Sequence, residues 1–129
     1  ADDSGLEINI LKGDPGIYSA RWAGKKNNFN LAINKIYKKM HKFKKNWKKN
    51  NRARFVCCLA IFYPDGKFKV VEGSVNGKIS IIKKGIKGFG YDPIFIPTGH
   101  KKTFGEMSSK FKASIDHRNK AYTKLKKFF

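Results

Sequence analysis

The feature that most constrains the fold is an unbroken apolar run at positions 55–63, rich in branched and aromatic side chains. Such a run is typical of a strand covered on both faces of a sheet, and it is too short to cross a membrane. The Pro-Asp-Gly sequence at 64–66 predicts a tight turn into a second strand at 67–72. We expect a third strand at 78–82, so this part of the chain predicts a sheet built around a central strand.

The segments before this run predict a strand and a long helix. Residues 6–10 alternate apolar and polar side chains, which indicates a half-buried strand. Asn27 or Asn28 is a suitable helix N-cap, and apolar residues then recur in steps of three and four from Phe29 to Trp47. The other faces of this predicted helix are almost entirely lysine and asparagine, so we expect one face to pack on the core.

The C-terminal third predicts one short strand and two helices. We expect the strand at 94–96, a short helix from the N-cap Ser108 to Ala113, and a longer helix after the N-cap Asp116. The last helix is expected to bury Ala121, Leu125 and Phe128. This order of elements in 129 residues predicts a single α/β domain, residues 1–129, with a mixed central sheet flanked by helices.

The chain carries 29 Lys and Arg against 9 Asp and Glu, a formal net charge of +20. Clustered basic residues bind nucleic acids by displacing counterions from phosphates, and a basic cleft attracts anionic triphosphates. A general bias toward Lys, Asn, Ile and Phe gives the same excess without a binding function. Because the lysines are spread over most of the chain, with one dense run, we attribute most of the excess to composition and expect no nucleic-acid partner.

Cys57 and Cys58 are the two cysteines of the chain. Adjacent side chains on a strand point to opposite faces, so these two are poorly placed to form a disulfide with each other. We therefore expect free thiols in a reducing cytoplasm and no cysteine metal site.

The segment 88–95 reads Gly-Phe-Gly-Tyr-Asp-Pro-Ile-Phe and combines aromatic rings, a carboxylate and open backbone in one loop. Glycine lets another molecule approach the backbone closely, and Pro93 fixes the exit of the loop. Such a stiff loop is suited to binding a flat heterocycle against a ring face. The alternative is a tight turn between strands that buries Phe89 and Tyr91.

Two further sets of polar residues are candidates for chemistry. Asp2 and Asp3 precede a Ser-Gly turn, and carboxylates there can bind Mg²⁺ or accept a proton from an attacking water. His117 and Arg118 would lie in the first turn of the last helix, where free amides and the helix dipole favour anions and electron-rich oxygens. The alternatives are an ordinary polar turn and the start of a surface helix.

Together, in this order, these segments closely resemble the inosine triphosphate pyrophosphatase family. The resemblance runs from Ala1 to about Leu125 and rests on the ordered set rather than on any one motif. The segments that carry it are 1–6, 15–24, 55–60, 64–66, 88–95, 103–108 and 117–118. The resemblance implies a homodimeric, Mg²⁺-dependent enzyme that hydrolyses dITP, ITP and XTP to the nucleoside monophosphate and pyrophosphate, and so removes non-standard purines from the nucleotide pool.

The resemblance also implies roles for nine residues. Asp3 matches the proposed proton acceptor and metal ligand of the family. The substrate-binding set would be Ser4, Phe89, Gly90, Tyr91, Asp92, Lys112, His117 and Arg118. The role of Asp2 stays open. Arg21 is expected to reach the active site or to support the dimer interface, and the alternative is a purely structural role.

Within that set, three side chains would recognise the purine. Phe89 would stack on the base, and Asp92 would accept a hydrogen bond from a ring N–H. Arg118 offers only donors, which suits the oxygen at position six of hypoxanthine and xanthine. Adenine carries an amino group there, and a buried donor left unpaired costs about 1–3 kcal/mol.

The chain also departs from the pattern that the resemblance implies. It begins inside a motif, without the upstream phosphate-binding loop and metal-binding glutamate, so we expect an N-terminally incomplete enzyme domain. Phe111 stands where the family usually has an acid. The alternative function is a basic nucleic-acid-binding or inactive remnant of such an enzyme.

Overall fold

The computed structural model describes residues 2–43 and 47–129, so Ala1 of the first matching segment lies outside them. The strands are β1 (Asp2–Ile8), β2 (Arg52–Phe62), β3 (Phe68–Ile79) and β4 (Phe95–Pro97). The helices are α1 (Phe29–His41), α2 (Ser109–Ile115) and α3 (His117–Leu125). No helix in the described residues is both long enough and apolar enough to span a membrane.

The expected α/β arrangement of a central sheet with helices is confirmed, but the strands are not mixed in direction. The sheet has the order β1-β2-β3-β4, and each neighbouring pair in the described residues is antiparallel. A tight turn joins β2 to β3, with the Tyr63 amide donating to the Lys67 carbonyl at 2.9 Å. Such a turn can join only antiparallel strands.

The two strands expected at 67–72 and 78–82 are wrong as separate elements, because β3 runs without a break from Phe68 to Ile79 and residues 80–82 follow its end. Two glycines interrupt the apolar pattern of this strand, and each leaves room for a neighbour. A methyl group at Gly73 would overlap the backbone of α3, at the amide nitrogen of Ala121. A methyl group at Gly77 would overlap the carbonyl oxygen of Ile96 in β4.

β1 and α1 both end before their apolar patterns predict. β1 ends at Ile8, and Asn9–Leu11 form a 3-10 turn, so the strand expected at 6–10 ends early. The Asn28 side chain accepts from the Leu31 amide as the expected N-cap of α1. α1 ends at His41 rather than at Trp47, and residues 44–46 of that expectation lie outside the described residues. Trp47 is nevertheless buried against the rings of Tyr37 and His41.

The predicted starts of the last two helices are confirmed. Ser108 accepts from the Phe111 amide at 3.2 Å, and Asp116 accepts from the Asn119 amide at 2.9 Å. Ala121 and Leu125 are buried as expected. Phe128 is 43% exposed, so its expected burial is wrong, and it lies in a 3-10 turn after α3.

The core covers one face of the sheet. Leu6, Phe55 and Val75 are cross-strand partners and therefore point to the same face. α1 adds Ile33, Ile36 and Met40 to the same cluster. α3 packs beside this cluster, where the His117 ring stacks on Phe55 with centroids 4.8 Å apart. Phe29 at the start of α1 and His117 at the start of α3 both come close to β1, and a cavity lies between them.

Candidate active site

A cavity of about 170 Å³ opens between β1, the loop at 88–92 and the first turns of α1 and α3. Eight of the nine expected site residues line it, namely Ser4, Phe89, Gly90, Tyr91, Asp92, Lys112, His117 and Arg118. The ninth, Asp3, does not line it. The wall also includes residues that the sequence did not single out for the site, namely Gly5, Leu6, Ser19, Ala20, Phe29 and Phe55.

The loop at 88–92 presents the ring of Phe89 to this cavity. Gly88 and Gly90 have φ angles of 73° and 63°, which favour glycine over other residues. The Asp92 carboxylate accepts from the Phe89 amide at 3.0 Å and closes the loop. Phe89 is 65% exposed whereas Tyr91 is buried, so the alternative of a turn that buries both rings does not hold.

A buried ion pair fixes this loop to α2. The Lys112 ammonium donates to Asp92 Oδ2 at 2.7 Å, and both side chains are almost fully buried. Burial raises the pKa of the Asp92 carboxyl above its ordinary value, although the hydrogen bonds from Lys112 and the Phe89 amide oppose that shift. The ammonium also lies over the Phe89 ring, 4.6 Å from its centroid.

Tyr91 joins the loop to the segment before α1. Its hydroxyl donates to the Ser19 carbonyl at 2.6 Å, and its ring meets the edge of Phe29 at 5.2 Å. Ser19 Oγ in turn accepts from the Leu6 amide at 2.9 Å, so the loop, this segment and β1 are bonded together. The spacing of Phe29 predicted only a core position, and Ser19 had no signal beyond its place in the motif at 15–24.

Arg21, from the same motif, does not line the cavity. Its guanidinium lies over the Tyr18 ring, 5.3 Å from the centroid. Both residues are exposed, and Tyr18 does not line the cavity either.

Two buried polar atoms in the cavity wall have no partner in the described residues, Ser4 Oγ and His117 Nδ1. Burial lowers the pKa of His117 to about 4, and the nearby charges of Arg118 and Lys112 act in the same direction. The imidazole is therefore neutral at pH 7, and Nδ1 can either donate or accept. Because unpaired buried polar atoms are costly, both atoms indicate that the cavity takes a polar ligand.

Arg118 forms an ion pair with Asp2, an acid whose role the sequence left open. The guanidinium donates to Asp2 Oδ2, and the Asp2 carboxylate also lies 3.7 Å from the Cys57 sulfur. The Arg118 Cζ atom is 6.0 Å from the centroid of the Phe89 ring. Asp2 therefore holds a donor-only side chain beside the exposed ring.

Asp3 lies on the opposite face of β1 from Asp2 and Ser4, because successive strand residues point to opposite faces. It lines a second cavity, of about 120 Å³, with Glu7, Cys58 and Glu72. Among the residues described here, no three His, Cys, Asp or Glu side chains are arranged to hold a metal ion. Mg²⁺ is commonly held by one or two carboxylates together with substrate phosphates and water, and exposed Asp3 fits that mode.

The chain is similar to proteins of one family over almost its whole length. The Ham1 family model matches residues 1–128. The dITP/XTP pyrophosphatase of Rhodospirillum centenum is 45% identical over 97% of this chain and 61% of its own length. The dITP/XTP pyrophosphatase of Caulobacter vibrioides is 45% identical over 98% of this chain and 63% of its own length.

Solved structures agree with this match. The Ham1 protein of Staphylococcus aureus superposes with a TM-score of 0.90 at 42% identity, over 99% of this chain and 64% of its own. A HAM1 protein from Coxiella burnetii gives 0.87 at 33% identity, over 97% of this chain and 63% of its own. The chain thus spans about three fifths of the length of these relatives, and the resemblance seen in the sequence is confirmed. The chain belongs to the Ham1 family.

Proposed function

We propose that this protein hydrolyses dITP, ITP and XTP to the nucleoside monophosphate and pyrophosphate, and so removes non-standard purines from the nucleotide pool. The observation that carries the proposal is the cavity beside the exposed Phe89 ring, where Ser4 Oγ and His117 Nδ1 are buried without partners. The names of the relatives support the same reaction, since two at 45% identity are dITP/XTP pyrophosphatases.

The purine base stacks on Phe89 in this proposal, and Gly90 and Tyr91 shape the pocket around it. Lys112 and Arg118 both lie over this ring. Both side chains carry hydrogen-bond donors and no acceptor atom. They suit the oxygen at position six of hypoxanthine and xanthine, and they would face the amino group of adenine. Asp92 retains lone pairs beyond its two bonds and accepts from a ring N–H.

Asp3 is the proton acceptor and the Mg²⁺ ligand of the proposed reaction. The water that gives up its proton to Asp3 forms a bond to the α-phosphorus, and the bond to the bridging oxygen breaks, so that pyrophosphate leaves. Bound Mg²⁺ offsets the negative charge of the phosphates. Ser4 contacts the substrate from the other face of the same strand, one residue away.

We further propose that residues 1–129 form one pyrophosphatase-like domain, and that the protein is a cytoplasmic homodimer. Large apolar side chains that remain exposed support the homodimer, because a partner subunit would cover them. Examples are Ile17, Leu31, Ile82 and Ile86. Two free cysteines in the described residues support a reducing compartment.

The test is pyrophosphate release from dITP, ITP, XTP, dGTP and dATP with Mg²⁺, using both this chain and the complete product of its gene. We expect selective release from the first three, and a loss of at least about 100-fold in kcat for Asp3→Asn. Asp65→Asn, the same substitution on the exposed turn between β2 and β3, is the matched control and should keep full activity. A folded gene product without selective release would contradict the proposal.

A further inference from the structure

A basic groove lies at the end of the sheet where β2 begins and β3 ends. It has a volume of about 310 Å³, and its basic and polar lining includes Lys49, Arg52, Lys78, Thr98 and His100. None of its lining residues in the described part of the chain is acidic. The groove shares no residue with the candidate active site, so a ligand bound in it would not occupy that site.

Two of these cations oppose each other directly. Arg52 on β2 and Lys78 on β3 are Cα partners across the antiparallel pair, and both are exposed. Neither forms an ion pair within residues 2–43 and 47–129. Like charges directly opposite on neighbouring strands destabilise a sheet, and a bound anion would remove that repulsion.

A second opening, of about 450 Å³, adjoins this groove at His100, which lines both. Lys101, Lys102 and Phe111 line the second opening. Phe111 is 46% exposed, and its ring meets His100 edge to face with centroids 5.7 Å apart. Among the described residues that line this opening, Glu106 is the one acid, and its carboxylate already accepts from the Thr103 amide at 3.0 Å. The surface therefore combines a row of cations with an exposed aromatic ring.

We propose that this surface, from Arg52 and Lys78 to Phe111, binds a single-stranded nucleic acid. Proteins that bind single strands without sequence preference use a basic groove along the backbone and aromatic rings on which bases stack. The cations are spread over two adjoining openings, which matches an extended polyanion better than one free phosphate. A single strand is favoured over a duplex because only an unpaired base can stack on Phe111.

The first test measures fluorescence anisotropy of a labelled 15-mer oligo(dT) or oligo(rU) with the protein at 50 and 200 mM salt. We expect Arg52→Gln/Lys78→Gln to bind about tenfold more weakly at 50 mM salt. The slope of log affinity against log salt should fall by about 1.4, which is 0.7 for each lost phosphate contact. Lys25→Gln/Lys26→Gln removes the same charge from another exposed site. It should change the affinity and the salt slope less than Arg52→Gln/Lys78→Gln does. Equal losses in the two double variants would overturn the proposal.

The second test separates a nucleic acid from a simple polyphosphate. Phe111→Ala should weaken oligonucleotide binding at least about fivefold, because stacking of a base is worth about 1 kcal/mol or more. The same substitution should leave tripolyphosphate binding unchanged, since that ligand has no base. Unchanged oligonucleotide binding by Phe111→Ala would show a polyanion site only and would overturn the proposal.

Thermal unfolding without ligand gives a readout that does not depend on how well a variant binds. Without ligand, Arg52→Gln/Lys78→Gln should melt at a higher temperature than the unaltered protein, because the opposed charges are gone. Oligonucleotide should raise the melting temperature of the unaltered protein more than that of this variant. A lower melting temperature without ligand would contradict the repulsion on which the proposal rests.

Discussion

Three consecutive side chains of β1 point to two opposite faces of the sheet. Asp2 and Ser4 point toward the candidate active site, and Asp3 points to the cavity on the other face. β1 is the outer strand of the described sheet, and its Ser4 and Asp3 side chains point to opposite faces. The proposed base pocket and the proposed reacting carboxylate thus lie on opposite faces of the same outer strand.

The buried imidazole of His117 should make stability depend on pH. Its pKa is about 4 in the folded protein and about 6.5 in the unfolded chain. Between these values the unfolded chain binds more protons, so stability falls as the pH is lowered. We expect His117 to contribute a loss of about 2 kcal/mol between pH 7.5 and pH 5, measured by urea unfolding.

The matched variant for this prediction is His117→Gln, which retains a polar side chain but does not titrate in this range. Between pH 7.5 and pH 5, the unfolding free energy of this variant should fall by less than that of the unaltered protein. This holds even if the variant is less stable at pH 7.5. The carboxylates of the protein titrate in both proteins and cancel in the comparison. An identical pH dependence in the two proteins would refute the assignment to His117.

Lys112 should be more important for stability than an exposed lysine, because it is the buried partner of Asp92. Lys112→Met leaves a carboxylate buried without its cation, which costs about 3 kcal/mol or more. The double variant Asp92→Asn/Lys112→Met has no buried charge and should regain part of that loss. Urea unfolding at pH 7.5 measures the unfolding free energy of each variant. If the double variant is no more stable than Lys112→Met, the result would argue against the ion pair.

At the scale of elements, local signals were enough to predict the helix starts and the central strand. Asn28, Ser108 and Asp116 each cap a helix as their side chains predict, because a cap depends on residues two or three positions away. β3 was not predictable as one strand, since Gly73 and Gly77 break its pattern. Those glycines leave room for α3 and β4, and such long-range packing has no local signal.

The close approach of α3 to β3 gives a prediction at the same scale. Gly73→Ala adds a methyl group that would overlap the Ala121 amide nitrogen and the His117 carbonyl oxygen, so α3 must move. We expect a loss of about 2 kcal/mol in unfolding free energy, typical of overpacking. Because His117 and Arg118 begin α3, binding of dITP should weaken as well.

Ser74→Ala is the control for this variant, since Ser74 is the next residue and points to the opposite face of β3. It should keep both stability and nucleotide affinity, measured by urea unfolding and by titration with dITP. A Gly73→Ala protein as stable as the Ser74→Ala protein would mean that α3 is not packed on the strand at this distance.

At the scale of the whole molecule, the resemblance named residues that lie close together, but it did not give their arrangement. Eight of the nine expected site residues line one cavity although they are far apart in the chain. That Asp3 points away from this cavity, and that Ser19 bonds both Tyr91 and Leu6, depends on how strands and loops meet in space. The basic groove shows the same limit, because lysines that look scattered in sequence converge on one end of the sheet.

The net charge of +20 should make the folded state more stable in salt. Three ion pairs are formed in the described residues, by Glu7, Asp92 and Asp2, so most cations there are not in an ion pair. Salt screens exposed charges over about 10 Å at 0.1 M and less at higher concentration. We expect the melting temperature to rise by several degrees between 20 and 300 mM NaCl, measured by calorimetry.

This rise should depend on where the charges lie and not only on their sum. Arg52→Gln/Lys78→Gln and Lys25→Gln/Lys26→Gln both reduce the net charge by two. The first removes cations that oppose each other across β2 and β3 in a groove without acids, so it should lose more of the salt dependence. Equal salt dependence in the two variants would mean that the whole charge, and not the groove, sets the repulsion.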